Sequence, residues 1–269
     1  MLSPASETPV HPLLPDSLLQ LSSSRAPKKK LGLAIISIPK ALNGREREEA
    51  ELWLTGEELT QLDHYTFAKR KGEWLSGRIC AKQATINLLK NYGISKIPHA
   101  RDFSIAASQS GRPFLNLNCL PVDDKAIDIS ISHSHTMAVG LAGYGRCGID
   151  IQYLNETLFK VKHRFCADIE AVILDQIPAD ELTQLGLLWV AKEAIRKCLS
   201  KTRIVGFREL ALAGVAVDQG GHFILKFHPE LDGFSFPSCN PLPVITHHHD
   251  SFAISVCTVK EENNHAGTA

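Results

Sequence analysis

Two neighbouring segments of different hydrophobic period limit what this chain can fold into: residues 147–153 and residues 189–199. In the later segment, apolar residues recur at the spacing of one helix face, at Leu188, Ala191, Ala194, Ile195 and Cys198. In the earlier segment, polar and apolar residues alternate, which predicts a strand with Ile149 and Ile151 on one face. The two periods together predict a protein of mixed α and β structure.

Each of these two elements carries an acid on its polar face. Asp150 lies between Gly148 and Gln152 on the strand, where we expect it to be exposed, and Glu193 lies four residues before Lys197 on the helix. Carboxylates from separate elements suit a magnesium ion, and an adjacent ammonium can neutralise a phosphate oxygen. A Glu–Lys pair at this spacing is usually a solvated helix face, and the spacing alone favours that interpretation over a metal site.

Several motifs in register resemble those of one enzyme family. Gly148-Ile-Asp-Ile followed by Trp189-x-x-Lys-Glu-Ala-x-x-Lys resembles the paired signature of the 4′-phosphopantetheinyl transferases. Residues 110–115 are similar to the family's Gly-Lys/Arg-Pro segment, and residues 131–134 to its Ser-His-Ser segment. With the basic residues 69–78, the resemblance runs from about residue 31 to about residue 258 in the family's order.

The resemblance implies an α+β fold of the larger, pseudo-dimeric type. We expect two similar α/β halves, each a small, mostly antiparallel sheet with helices, and a ligand cleft at their junction. The expected divisions are a flexible arm (1–30), a half with a basic lining (31–145), a half with the metal and catalytic motifs (146–259) and a polar tail (260–269).

An internal repeat supports two halves. Trp74 precedes Lys82 by the same spacing as Trp189 precedes Lys197, and each pair follows an acidic helix and an Ile-rich strand. This alignment predicts that Arg78 in the first half occupies the place of Glu193 in the second.

The resemblance also implies an activity, in which the phosphopantetheine arm of coenzyme A is transferred to a serine of an apo acyl, peptidyl or polyketide carrier protein. Magnesium held by Asp150 and Glu193 would bridge the pyrophosphate, Lys197 would contact it, and Glu193 or a water would take the serine proton. Adenosine 3′,5′-bisphosphate would be released. The side chains implied for coenzyme A binding are Arg70, Arg78, Arg112, Ser132, His133, Lys192 and Lys197.

One residue departs from the family pattern. Many members have Gly-Ile-Asp-Ile-Glu with the second acid on the metal, whereas this chain has Gln152, whose amide oxygen can coordinate but brings no charge. An alternative function is therefore a non-catalytic coenzyme A or nucleotide-binding module with a weakened metal site. A third is a metal-dependent phosphatase.

Composition excludes other classes of protein. The 29 basic residues balance 29 acidic ones, so no overall field favours nucleic acid or a membrane surface. Seven cysteines without a Cys-x-x-Cys motif indicate reduced thiols in the cytoplasm. The apolar run at 31–38 is too short to span a bilayer.

Because two halves would pair within one chain, we expect a monomer. For the histidines 247–249 we predict a loop rather than a metal site.

Overall fold

The computed structural model describes residues 31–38, 46–116, 127–200, 204–229 and 241–259. The predicted arm and tail lie outside the described residues. From the first strand to residue 144 the elements are β1 (Gly32–Ser37), α1 (Glu46–Trp53), α2 (Gly56–Asp63), α3 (Ala68–Asn91), a 3₁₀ turn (Ala100–Asp102), β2 (Ser104–Ala107), β3 (Pro113–Asn116), β4 (Ile127–Ser134) and β5 (Met137–Tyr144).

The same order of elements then recurs. It comprises β6 (Arg146–Tyr153), α4 (Thr157–Phe165), α5 (Asp168–Leu174), α6 (Glu181–Leu199), a 3₁₀ turn (Phe207–Glu209), β7 (Leu210–Val217), β8 (Phe223–Pro229), β9 (Leu242–His249) and β10 (Phe252–Val259). Each half is therefore a strand, three helices and a run of four strands within the described residues.

The strands form antiparallel sheets in the orders β1-β5-β4, β2-β3 and β6-β10-β9-β8-β7. The two larger sheets pack face to face through a shared core that includes Leu33, Val139, Ile149, Ile254 and Val256. Their outer faces are covered by α3 and α6, respectively. The predicted α+β fold of two similar halves is confirmed.

A glycine on the first strand of each half permits the close approach of the long helix. A Cβ at Gly32 would collide with the carbonyl oxygen of Ala84, and a Cβ at Gly148 with the carbonyl oxygen of Ala194. Because the obstacle is backbone, neither helix could accommodate the extra methyl by a side-chain rotation. The two contacts are equivalent, and they fix the position of each helix along its strand.

A buried ion pair anchors the long helix of each half. The Nζ of Lys82 donates to Glu58 Oε2 at 2.5 Å and to the carbonyl oxygens of residues 53, 100 and 103. The Nζ of Lys192 lies 2.8 Å from the Glu170 carboxylate and donates to the carbonyl oxygens of residues 165 and 207. Each glutamate also accepts a backbone N–H at the start of its own helix and one from a strand, as at Ile105. These charges are buried but fully paired.

These anchors correct the alignment of the repeat. Since Gly32 is equivalent to Gly148 and Lys82 to Lys192, Glu193 corresponds to Gln83 rather than to Arg78. By the same register, Asp150 corresponds to Ala34 and Lys197 to Asn87. The predicted register was wrong because it rested on the two tryptophans, which pack in different surroundings, whereas the buried contacts fix the helix on its sheet.

The three adjacent histidines also differ from the prediction. His247, His248 and His249 lie within β9 and pair with β10, and the chain turns only at Asp250, which has a φ of 50°. Their place is a strand because each has a backbone partner on β10.

None of the helices within the described ranges combines the length and hydropathy that a bilayer crossing requires.

The close helix–strand contact generates a stability prediction. We expect Gly148→Ala to reduce the free energy of unfolding by about 1–3 kcal/mol, as overpacking against backbone does. Gly214→Ala is the matched control, because a Cβ at this strand position meets nothing within 4 Å. Denaturant unfolding of both variants measures the difference. Equal stabilities would show that the helix does not press on Gly148.

Candidate functional site

The two halves meet where β4 runs along β6, and side chains rather than a backbone ladder join the strands. The contacts come from alternate residues of β4, as the period of a strand requires. Each accepts an N–H from β6: Asp128 from Cys147 at 2.8 Å, Ser130 from Ile149 at 3.1 Å and Ser134 from Tyr153 at 2.9 Å. We call this row of contacts the seam.

Lys197 on α6 crosses the seam. Its Nζ donates to the carbonyl oxygens of Ile131 on β4 and Ile149 on β6, both at 3.1 Å, and to Asp150 Oδ1 at 2.7 Å. An ammonium has three donors, and all three are used here. The residue predicted to contact the pyrophosphate thus binds both halves of the protein in this structure.

Asp150 is buried, with 6% of its surface exposed, so the prediction of an exposed acid was wrong. The face of β6 that carries it lies beneath α6, which reaches the strand at Gly148. Its Oδ1 also accepts the hydroxyl proton of Ser132 at 2.6 Å. No residue in the described ranges hydrogen-bonds to its Oδ2.

Glu193 lies close to Asp150 at this junction. Burial raises the pKa of Glu193, and the negative charge of Asp150 raises it further. Its Oε1 accepts a hydrogen bond from Arg196 Nη1 at 2.5 Å. An acid of a strand and an acid of a helix therefore lie near enough for their charges to interact, and their joint binding of a metal ion stays a prediction.

Arg196 is a residue that the sequence analysis missed. Besides holding Glu193, it donates from Nε to the carbonyl oxygen of Val205 at 2.7 Å, and its guanidinium lies 4.3 Å from the ring centre of Phe207. The sequence did contain a signal for this pair, because residues three apart on a helix are neighbours and Arg196 follows Glu193 by three.

A cavity of about 450 Å³ opens beside these groups. It is lined by the turn at residues 110–113, by residues 129–131 of β4 and by Glu193, Arg196 and Lys197. Arg112 donates from Nη2 to Asp128 Oδ2 at 2.5 Å and from Nη1 to the carbonyl oxygen of Lys197. Its turn depends on Gly111, which has a φ of 80°. The predicted basic turn thus forms one wall of the cavity.

Two other predicted residues, His133 near the end of β4 and Arg70 on α3, lie near enough for their charges to interact. His133 is on the surface, yet nearby residues of the protein partly desolvate its ring, and this desolvation lowers its pKa. The charges of Glu73, Lys197 and Arg70 also act on this ring. Arg70 is exposed and donates to Glu73 Oε2 at 3.3 Å. His133 therefore lies near Lys197 on α6 and near the charged residues Arg70 and Glu73 on α3.

Lys192 and Arg78 are not part of the cavity wall. Lys192 is 1% exposed and its ammonium points into the core, so the structure corrects the prediction that it contacts coenzyme A. Arg78 packs 4.8 Å from the ring centre of Trp74, and burial lowers its pKa. Among charged groups, Glu58 of the first half acts most strongly on Arg78.

The acidic pair has the chemistry of a divalent-cation site. Within the described ranges, Asp150 Oδ2 and Glu193 Oε2 accept no hydrogen bond, and a cation would relieve the repulsion between the two acids. The described part of the chain contains no group of three His, Cys, Asp or Glu residues that could hold a metal ion. Gln152 projects from the same face of β6 as Asp150, and its Nε2 donates to the carbonyl oxygen of Tyr153. Its Oε1 therefore remains as a possible ligand atom.

The sequence of this chain is similar to a family model and to known proteins. Residues 146–257 match the family model of the 4′-phosphopantetheinyl transferase superfamily. A holo-[acyl-carrier-protein] synthase of Bacillus subtilis (strain 168) is 32% identical over 111 residues, which are 40% of this chain and 88% of that protein. The corresponding protein of Staphylococcus carnosus (strain TM300) is 27% identical over 110 residues, 40% of this chain and 89% of that protein.

A solved structure gives a further comparison. The crystal structure of a holo-(acyl-carrier-protein) synthase from Bacillus anthracis str. Ames in complex with CoA (3′,5′-ADP) aligns with a TM-score of 0.35 and 25% sequence identity. The alignment covers 42% of this chain and 93% of that one. Asp150, Glu193 and Lys197 all lie within the residues that match the superfamily.

The buried position of Lys192 generates a prediction. We expect Lys192→Met to lower the free energy of unfolding by about 3–5 kcal/mol, because Glu170 is left buried and unpaired. At a temperature where the variant is folded, its dissociation constant for coenzyme A should equal that of the wild type. Isothermal titration calorimetry measures this constant, and Lys82→Met is the matched control in the first half. Loss of coenzyme A binding by folded Lys192→Met alone would return Lys192 to the binding site.

Proposed function

Because this chain belongs to the 4′-phosphopantetheinyl transferase superfamily, we propose that it transfers the 4′-phosphopantetheine arm of coenzyme A to a serine hydroxyl of an apo carrier protein. The carrier is an acyl, peptidyl or polyketide carrier protein, and adenosine 3′,5′-bisphosphate is released. The serine oxygen forms a bond to the phosphorus that carries the pantetheine arm, and the bond from that phosphorus to the adenosine-side phosphate breaks.

The observation that supports this proposal is the convergence of Asp150 and Glu193 beside a cavity at the seam. Asp150, Glu193 and the amide oxygen of Gln152 would hold Mg²⁺, which when bound neutralises charge on a pyrophosphate. Phosphoryl transfer to an alcohol needs little more than such charge neutralisation and correct positioning.

The remaining side chains of the junction divide between binding and proton transfer. The positive charges of Lys197 and Arg112 on the cavity wall favour the phosphates of coenzyme A, and His133 and Arg70 favour its adenosine end. Glu193, whose pKa is raised by burial and by the charge of Asp150, or a water held beside it would accept the serine proton.

We propose that the enzyme works as a monomer in the cytoplasm. The two halves bury a shared apolar core within a single chain, as two subunits of a dimer would. The thiols of Cys80, Cys166 and Cys198 are buried and reduced, which suits a reducing compartment.

The transfer reaction tests the proposal directly. The protein is incubated with coenzyme A, Mg²⁺ and a panel of apo carrier domains, and mass spectrometry detects a phosphopantetheine adduct on the carrier. No adduct on any carrier, despite coenzyme A binding, would support a non-catalytic binding module. Release of inorganic phosphate without an adduct would support a phosphatase.

A substitution tests the role of Glu193. We expect Glu193→Gln to lower the transfer rate by about 100-fold or more, because it removes a charge that acts on the reacting groups. The same change at Glu181 is the control, since this residue lies on the same helix in an exposed ion pair with Lys162. Glu181→Gln should transfer within about twofold of the wild type. An active Glu193→Gln enzyme would remove Glu193 from the reaction.

The carrier would dock on the helices that follow Tyr153. Three large apolar side chains are exposed there: Phe159 (42%), Ile169 (68%) and Val172 (64%). Exposed apolar groups beside a polar rim are typical of a contact surface. The basic residues Lys160 and Lys162 of α4 lie near them in the chain.

We expect the double substitution Ile169→Ser/Val172→Ser to raise the KM for the carrier by about 5- to 30-fold, the effect of losing about 1–2 kcal/mol of contact. The KM for coenzyme A should not change, because the coenzyme cavity lies elsewhere. Steady-state kinetics measures both constants. Val217→Ser is the control, as this residue is also exposed (59%). An unchanged carrier KM in the double variant would exclude this surface.

A further inference from the structure

The hydroxyl of Ser132 points at the acid of the strand opposite. Its Oγ lies 2.6 Å from Asp150 Oδ1, and both residues are buried, with 7% and 6% of their surfaces exposed. A hydroxyl has one proton and an ionised carboxylate has none, so Ser132 must be the donor. The distance is typical of a charge-assisted O–H···O⁻ bond. The one proton of Ser132 is therefore committed to Asp150.

Lys197 donates to the same oxygen from another direction. Its Nζ lies 2.7 Å from Oδ1, so a donor on β4 and a donor on α6 fix one side of the Asp150 carboxylate. Oδ2 is the oxygen left for a cation. Partners that orient a ligand in this way raise the affinity of a metal site, and their loss typically weakens it about 10- to 100-fold.

The other seam serines act differently. Ser130 and Ser134 each accept an N–H from the backbone of β6, and neither is hydrogen-bonded to Asp150 in the described structure. In the repeat, Asp150 corresponds to Ala34. Ser132 corresponds to His247, since residues 135 and 250 both turn with a positive φ just after these strands. The equivalent positions on β1 and β9 therefore have neither the acid of Asp150 nor the hydroxyl of Ser132.

We propose that Ser132 is a positioning residue, which orients the Asp150 carboxylate for a divalent cation, and that it does not bind the 3′-phosphate of coenzyme A. This inference rests on the proposed function, since it assigns the cation to Asp150. It replaces the role in coenzyme A binding that the sequence implied for Ser132.

The first test is cation binding without turnover. Mn²⁺ serves as the probe, and electron paramagnetic resonance measures the free ion during titration of the protein. We expect Ser132→Ala to raise the dissociation constant of Mn²⁺ about 10-fold or more. Ser132→Thr keeps the hydroxyl and should stay near the wild type. Ser134→Ala removes a neighbouring seam bond without touching Asp150 and should also bind Mn²⁺ normally.

The second test separates the cation from the 3′-phosphate. Dissociation constants of coenzyme A and of 3′-dephospho-coenzyme A are measured for wild type and Ser132→Ala without metal. We expect the ratio of the two constants to be unchanged, since Ser132 does not contact that phosphate. A ratio that falls toward one, with normal Mn²⁺ binding, would overturn the proposal and assign Ser132 to the phosphate.

The outcomes distinguish this inference from the proposed function. If wild type transfers phosphopantetheine but Ser132→Ala binds Mn²⁺ as wild type does, the inference fails and the function stands. If wild type transfers nothing but Ser132→Ala weakens Mn²⁺ binding while Ser132→Thr does not, the function fails and the positioning role stands. Equal weakening in Ser134→Ala would assign the effect to a loosened seam and overturn the inference. A wild type that binds no Mn²⁺ would overturn it as well.

Discussion

The ammonium of Lys197 is the contact on which the junction depends. It joins a carbonyl oxygen of β4, a carbonyl oxygen of β6 and the carboxylate of Asp150. Since β4 and β6 belong to different halves and share no backbone ladder, this cation and the seam side chains hold the two sheets in place at their edges. The same contacts therefore assemble the fold and place the acid of the candidate site.

Repetition of one architecture explains why the site occurs at a single junction. Both halves retain the buried Lys–Glu anchor and the glycine under the long helix, which serve packing. The functional positions differ, because Asp150, Glu193 and Lys197 correspond to Ala34, Gln83 and Asn87. Asn87 still donates to a strand carbonyl oxygen, that of Leu33 at 2.8 Å, as Lys197 does at Ile149. The first half thus keeps the structural contact and lacks the charges.

Charge at the junction is balanced in pairs. Arg112 faces Asp128, Lys197 faces Asp150 and Arg196 faces Glu193, each within 2.7 Å. These pairs are only partly exposed, so each charge needs its partner while the cavity holds no ligand. A cation and an anionic coenzyme would bring opposite charges to the same groups, and the pairs could exchange partners without leaving a buried charge unpaired.

The sequence by itself determined the elements and most of the residues of the candidate site. Hydrophobic period identified β6 and α6. The motifs singled out Glu193, Lys197 and Arg112, which line one cavity, and Asp150, which is hydrogen-bonded to Lys197; their roles stay predictions. These features are local, since a strand alternates and a helix repeats whatever it packs against. Only the tertiary structure decided three further features. Asp150 is buried, the hydroxyl of Ser132 donates to Asp150, and Arg196 pairs with Glu193.

Lys192 and Lys197 show the physical reason. They lie on the same helix, roughly 140° apart around its axis, and the family resemblance implied a role in coenzyme A binding for both. The structure buries one against Glu170 and directs the other to the seam. Which side of a helix faces a core and which faces a cleft depends on the sheet that covers it. That sheet is assembled from strands far apart in the chain, so no local pattern of residues reports it.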